Sequence, residues 1–213
     1  MYTPSAGKPP TPARKIATYA DLRAAPEGDR VELIDGVLYT MPAAAVKHAL
    51  TSSEILKEAG YKFGKRDGGW LILGPVELHL GRPDPRTLVL IPDVVGWRRE
   101  RLEELPETQG MELVPDWVCE VLSPGNERYD RGLKLKKYAA AGVAWVWLPN
   151  PREYTVEVYK LDGETYRLWA LVEPCETAVI PPFDGVELDL REWWIRKGPL
   201  VVAEAGEERW QIG

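Results

Sequence analysis

The sequence predicts a mixed α+β (α/β) domain. A central mixed sheet is flanked by at least two helices and extended by an antiparallel meander. Short apolar runs of strand length, rich in Val, Leu, Ile and Trp, recur along the chain. Two stretches, residues 45–60 and 126–141, change to a helical period. No internal repeat or linker divides the 213 residues, a length that suits one domain.

The elements follow in order. Residues 1–15 hold four prolines and few apolar side chains, which predicts a flexible arm before a single domain at 16–196. Thr18 is a helix cap for TYADLRAAP, and Pro26 ends that turn. VELIDGVLYTM alternates around Asp35-Gly36, a two-residue hairpin signal. The helix at 45–60 places Leu50, Ile55 and Leu56 on one side. WLILG, VELHL and TLVLIPDVVGW read as three strands. DWVCEVL and AWVWLPN read as two more, with the 126–141 helix between them and Gly142 as its stop. YTVEVYKL, ETYRLWAL and a short strand near Val179 read as a meander, with Asp162-Gly163 as a tight turn. GVELDLREWW gives a last strand and a helical turn. The pattern assigns no element to the tail at 197–213.

Composition excludes several classes. Hydrophobic residues at 45% and charged residues at 28% fit a globular protein with its own core. Two cysteines, Cys119 and Cys175, make no disulfide framework, and their usage fits a reducing cytoplasm. No apolar run approaches the roughly 20 residues of a membrane span. The N-terminus lacks the apolar stretch of a signal peptide. The net charge of −6 argues against a chain basic all over, so any grip on nucleic acid is local.

Two acids stand out. Glu120 lies within DWVCEVL, sharing a strand face with Val118 and Leu122, while Trp117, Cys119 and Val121 take the other. Burying a lone carboxylate there costs several kcal/mol unless it is paired, protonated or bound to metal. Asp93 raises the same question between LVLIP and VVGW. A salt bridge or a strand end at solvent would explain either acid alone. Two carboxylates converging at a sheet edge would instead suit magnesium, which takes one or two carboxylates plus waters and phosphate oxygens. Neutralising Asp93 is then expected to leave the fold intact and to relieve repulsion.

Three lysines ride on the following helix. At 100° per residue, Lys134 falls between Asp130 and Tyr138, beside the Leu135–Tyr138 stripe. Lys136 falls on the far side and Lys137 off the stripe. Lys134 either pairs with Asp130 along the helix or reaches inward to the two acids. As a surface helix lysine it would contribute a few tenths of a kcal/mol to folding.

With these residues in view, VELIDGVLY, IPDVV, EVLSPGNERYDRGLKLKKYAAAGV and WVWLPNP resemble the Uma2 family (DUF820) of restriction-endonuclease-like proteins, within the PD-(D/E)XK nuclease superfamily. The likeness runs over residues 19–168. It implies a restriction-endonuclease-like core and a divalent-metal site for Mg2+, with Mn2+ as a substitute. It implies Asp93 and Glu120 as metal ligands and catalytic acids. The family's lysine two residues after the glutamate is absent, because Leu122 stands there. The resemblance moves that lysine to the next helix, at Lys134. It also implies Glu32 as an extra acid and His48 as a catalytic candidate, the latter equally readable as a half-buried helix histidine.

The expected function is a metal-dependent endonuclease of the cytoplasm acting on nucleic acid, DNA before RNA. It has no membrane partner, and cutting two strands favours a homodimer. The alternative is an inactive nuclease-fold module that binds nucleic acid or protein. A two-carboxylate glycosidase is the third reading. Nine tryptophans would suit sugar stacking, but Trp117 and Trp145 fall in predicted core strands.

Overall fold

The computed structural model describes residues 16–64, 69–102, 104–183 and 185–194. The expected N-terminal arm at 1–15 and the tail at 197–213 lie outside the described residues.

Helix α1 (Tyr19–Arg23) opens with Thr18 and Asp21 in a reciprocal capping box. Strands β1 (Val31–Ile34) and β2 (Val37–Thr40) form the predicted hairpin. Asp35 and Gly36 both take positive φ, 51° and 70°, as a tight hairpin turn requires. Helix α2 (Val46–Phe63) runs three residues past the expected end, because Ala59 and Phe63 continue its buried face.

Then come β3 (Trp70–Leu73), β4 (Glu77–His79), β5 (Val89–Leu90) and β6 (Val94–Arg98). TLVLIPDVVGW is therefore two strands and not one. β5 belongs to one sheet and β6 to another, and Ile91-Pro92-Asp93 crosses between them. Pro92 has no N–H to give a ladder, which favours a break at this point.

The remaining elements are β7 (Gly110–Met111), β8 (Trp117–Cys119), a π-helical turn (Tyr129–Lys134), α3 (Leu135–Ala141), β9 (Trp145–Asn150), β10 (Thr155–Asp162), β11 (Thr165–Val172), β12 (Thr177–Ala178) and β13 (Leu188–Asp189). The predicted 126–141 helix is thus π-helical in its first part. The Leu135 N–H reaches back five residues to the Asp130 carbonyl. Gly142, at φ 90°, ends it as expected. The third meander strand is also corrected. β12 pairs with β13 in its own ribbon, and the β10–β11 turn sits one residue later, since Asp162 still pairs with Thr165.

A six-stranded mixed sheet, β11-β10-β9-β8-β6-β3, forms the centre, with β8 and β9 parallel across α3. One face packs on α2 and on residues that follow β12, through Trp117, Cys119, Trp147, Phe183 and Trp193. The other face meets α3 and the five-stranded sheet β2-β1-β5-β4-β7 through Val118, Leu122, Trp97 and Tyr138. The alternation read along DWVCEVL places its residues on these two faces correctly. Trp70, Trp97, Trp117, Trp147 and Trp193 are all buried, so they stack on the core and cannot line a sugar cleft. Trp145 is only half-buried. Among the described residues, no helix is long and apolar enough to cross a membrane.

Candidate active site

The carboxylates of Asp93 and Glu120 face one cavity of about 260 Å³, at the seam between the two large sheets. Asp93 stands where the chain leaves β5 for β6. Glu120 stands one residue beyond β8, where pairing is lost on one side only. Its N–H still donates to the Trp147 carbonyl at 3.0 Å, and the Leu122 N–H to the Pro149 carbonyl at 2.8 Å. The Val121 N–H instead donates to Asp93 Oδ2 at 2.8 Å. The Asp93 side chain takes the place of a strand neighbour, and the sheet opens there. Glu120 is tolerated beside an apolar strand because it lies at this opening.

Lys134 enters from the π-helical turn. Its Nζ lies 2.6 Å from Glu120 Oε1 and 3.0 Å from Glu32 Oε1, and the residue is 2% exposed. Burial acts to lower its pKa, but Glu120, Glu32 and Asp130 outweigh burial and raise it. Lys134 therefore stays an ammonium and cannot serve as a base. It makes no ion pair with Asp130, so its partners are acids of two strands and not its neighbour along the helix. Lys136 is exposed, and Lys137 pairs at 2.7 Å with Asp35 on the surface.

Glu32 lies fully buried on β1 behind Lys134, not on the cavity wall. Its Oε1 also accepts from the Ile91 N–H at 2.8 Å, and its Oε2 from the Tyr129 hydroxyl at 2.7 Å. With both oxygens engaged, Glu32 positions the lysine. His48, in the first turn of α2, lines the cavity with Nε2 3.0 Å from Asp93 Oδ2. An ionised carboxylate only accepts, so Nε2 carries the proton. Among the described residues, Nδ1 is buried with no hydrogen-bond partner.

The structure adds residues that the sequence reading did not assign to the site. Arg30 donates to Asp93 Oδ1 at 2.9 Å and also bonds the Ile91 carbonyl. The Tyr138 hydroxyl donates to Glu120 Oε1 at 2.5 Å. Asp130 is buried on the cavity wall. Its spacing in the sequence points only to a helix partner for Lys134. Arg30 and Tyr138 carried no local signal, because a basic residue beside a hairpin and a tyrosine on a helical stripe are ordinary features.

Electrostatics divide the acids. Burial pushes Asp93 up, but His48, Arg30 and Lys134 outweigh it and hold the carboxyl down at about 2. Burial pushes Glu120 up to about 8, with Lys134 opposing and Asp93, Asp130 and Glu32 adding repulsion. Burial, with repulsion from Asp93 and Glu32, raises Asp130 to about 6 against the pull of Lys134. Burial, with Asp93 and Glu120 adding to it, pushes the Cys119 thiol up, so it is no nucleophile.

These shifts set a pH profile for the metal-free protein. Glu120 and Asp130 hold protons in the fold that the unfolded chain has lost, so stability falls as pH rises from about 4 to about 8. Asp93 acts in the opposite sense, and its contribution is lost as pH falls from about 4 through about 2. The expected melting temperature in chelator is higher at pH near 5 than above pH 8, by calorimetry. The Glu120→Gln, Asp130→Asn pair should flatten that slope. An equal slope in the paired variant would assign it to other groups.

The donor set fits a hard divalent ion by a count of lone pairs. Asp93 Oδ1 accepts one hydrogen bond and Oδ2 two, while Glu120 Oε1 accepts two, so Oδ1 and Glu120 Oε2 keep capacity. Among the described residues, no group of three or more His, Cys, Asp or Glu is arranged to hold an ion. An ion here would use the two carboxylates and complete its shell with water or phosphate oxygens, the usual habit of magnesium.

Comparison with known proteins agrees with this architecture. The Uma2 family model, described as "Putative restriction endonuclease", matches residues 16–191. The crystal structure of "a putative nuclease belonging to DUF820" from Anabaena variabilis ATCC 29413 superposes with a TM-score of 0.66 at 21% identity. The match covers 83% of this chain and 96% of that one. Among curated proteins nothing matches the chain. The fold is restriction-endonuclease-like, a mixed α+β core, and the chain belongs to the Uma2 family.

Proposed function

We propose that the protein is a divalent-metal-dependent endonuclease that hydrolyses phosphodiester bonds of nucleic acid, with DNA the preferred substrate. The observation that carries this reading is Asp93 and Glu120 on one cavity wall with a buried, protonated Lys134 between Glu120 and Glu32. Asp93 and Glu120 would hold Mg2+, or Mn2+ in its place. The bound ion would offset phosphate charge and make water more acidic.

The chain's own groups do the rest. Arg30, His48 and the Val121 N–H fix the Asp93 carboxylate, leaving Oδ1 able to accept more. Tyr138 and Lys134 fix Glu120 through Oε1, and Oε2 keeps its capacity to accept. Lys134 spends two of its three donors on Glu120 and Glu32 and keeps one for the cavity. That cation would offset the charge that builds on phosphate oxygens as water attacks. Among the described residues the Asp130 carboxyl makes no side-chain hydrogen bond, and burial raises it to about 6, so it is the cavity-wall carboxylate suited to accept the water's proton. Two cysteines outside any disulfide fit a cytoplasmic setting.

The net charge of −6 favours the second reading, an inert nuclease-fold module that binds nucleic acid or protein. Labelled single- and double-stranded DNA and RNA, incubated with Mg2+, with Mn2+ and with chelator, separate the two. Endonuclease action predicts cleavage with either ion and none in chelator, together with a rise in melting temperature on adding the ion. Retention of every substrate intact, with no thermal response to either ion, would overturn the proposal.

A further inference from the structure

Strand β11 is an edge of the central sheet. Among the described residues it pairs only with β10, and its outer side takes no strand. Eight residues long, it presents Leu168 at 50%, Trp169 at 49% and Leu171 at 48% exposure. Natural edge strands are usually blunted by charge, proline or extreme shortness. From Leu168 to Val172 this strand has no charge and no proline. A register shift at Val158/Tyr159 makes Trp169 the extra residue of a bulge. A bulge can protect an edge, but here the residue it displays is an exposed tryptophan. Trp169 is also held in place, edge-on to Trp145 at 5.8 Å with Lys160 Nζ 4.7 Å from its ring. A fixed, half-exposed aromatic on an open ladder is the make-up of an interface anchor.

We propose that β11 is a self-association edge, on which a second copy of this chain pairs antiparallel about a two-fold axis at Ala170. Charge selects this partner and this orientation. The apolar run is bracketed by exposed Arg167 and exposed Glu173. Antiparallel pairing centred on Ala170 sets Arg167 of each copy opposite Glu173 of the other, Leu168 opposite Val172, and Trp169 opposite Leu171. Parallel pairing in register would set arginine on arginine and glutamate on glutamate. Opposite charges across a ladder stabilise it and like charges oppose it. The surface is self-complementary, as a two-fold interface must be. This proposal does not depend on the chemistry of the cavity.

The test is the mass of the full-length protein in solution, by light scattering and sedimentation up to about 100 μM, where weak pairs are populated. The parent is expected at twice its 24.0 kDa chain mass. Arg167→Glu alone, or Glu173→Arg alone, should weaken the pair about tenfold, because each sets like charges at both ends. The double variant Arg167→Glu, Glu173→Arg should restore it. An equimolar mixture of the two single variants should pair with each other. Leu168→Lys with Leu171→Lys should weaken pairing about a hundredfold while leaving the melting curve of the monomer close to the parent's. A parent that stays monomeric overturns the proposal. So does a dimer indifferent to these changes, which would meet by another surface. A parent that pairs only with a different protein through β11 also overturns it.

Discussion

Lys134→Ala is expected to abolish cleavage and to lower stability by about 3–5 kcal/mol, the usual result of removing one member of a buried ionic cluster. Read from the sequence, Lys134 was a surface helix lysine worth a few tenths of a kcal/mol. The structure reverses that expectation, because its ammonium is buried against Glu32 and Glu120. Removing it leaves the fully buried Glu32 carboxylate without its ammonium and takes from Glu120 the cation that opposes its burial. Against a total stability of roughly 5–15 kcal/mol for a domain, that is a large fraction. Lys136→Ala and Lys137→Ala should each stay within about 0.5 kcal/mol of the parent, since exposed pairs such as Lys137–Asp35 contribute little. Urea melts of the three variants make the comparison. Because loss of folding would hide loss of chemistry, Lys134→Met combined with Glu32→Gln is the companion variant. It removes one charge of each sign and should recover much of the stability while remaining inactive. A Lys134→Ala protein that melts with the parent would show that the lysine does not clamp the two strands.

Much of the fold was legible wherever a short stretch carries its own instructions. Asp35-Gly36 specifies a hairpin turn by what those two residues can adopt, and Thr18 with Asp21 closes a capping box within one turn. The alternation of Trp117, Cys119 and Val121 against Val118 and Leu122 follows from strand geometry alone. The features that stayed hidden are set by distant partners. LVLIPDVVGW reads as one apolar run, and only the separate sheets on either side show that Pro92 divides it. The π-helical turn has little signature beyond Gly132 inside a helical pattern, and the wheel drawn at a uniform 100° placed Lys134 at the border of the buried face, not within it. Arg30 reaches Asp93 across 63 residues and Tyr129 reaches Glu32 across 97, separations that no periodicity encodes. The two acids in apolar runs were visible as anomalies. Their opposite electrostatic fates were not, because those depend on which cations lie near each.

That difference yields the second large effect. Asp93→Asn is expected to abolish metal response and cleavage and also to destabilise the metal-free protein, by about 2 kcal/mol at neutral pH. The sequence suggested the contrary, that removing a charge would relieve crowded carboxylates. Relief of that kind belongs to Glu120, which burial, with the surrounding acids adding repulsion, pushes up to about 8. Asp93 sits among donors, and its charge is what they bind. A carboxyl held at about 2 against 3.8 when free favours folding by roughly 1.4 kcal/mol per unit, fully present above pH 4. An asparagine can keep one oxygen toward the Val121 N–H and His48, but its amide group then faces the Arg30 guanidinium, donor against donor. The Val121 bond also stands where the sheet ladder opens, so weakening it loosens the junction of β6 and β8. Glu120→Gln, by contrast, leaves Lys134 paired with Glu32 and should melt near the parent in chelator. Both variants should lose the thermal shift that Mg2+ or Mn2+ gives the parent. The measurement is a set of four melts, each variant with and without the ion, beside cleavage assays. If Asp93→Asn melts at or above the parent in chelator while Glu120→Gln falls well below it, the two acids have exchanged roles, and the ion pairs around Asp93 do not hold the junction together.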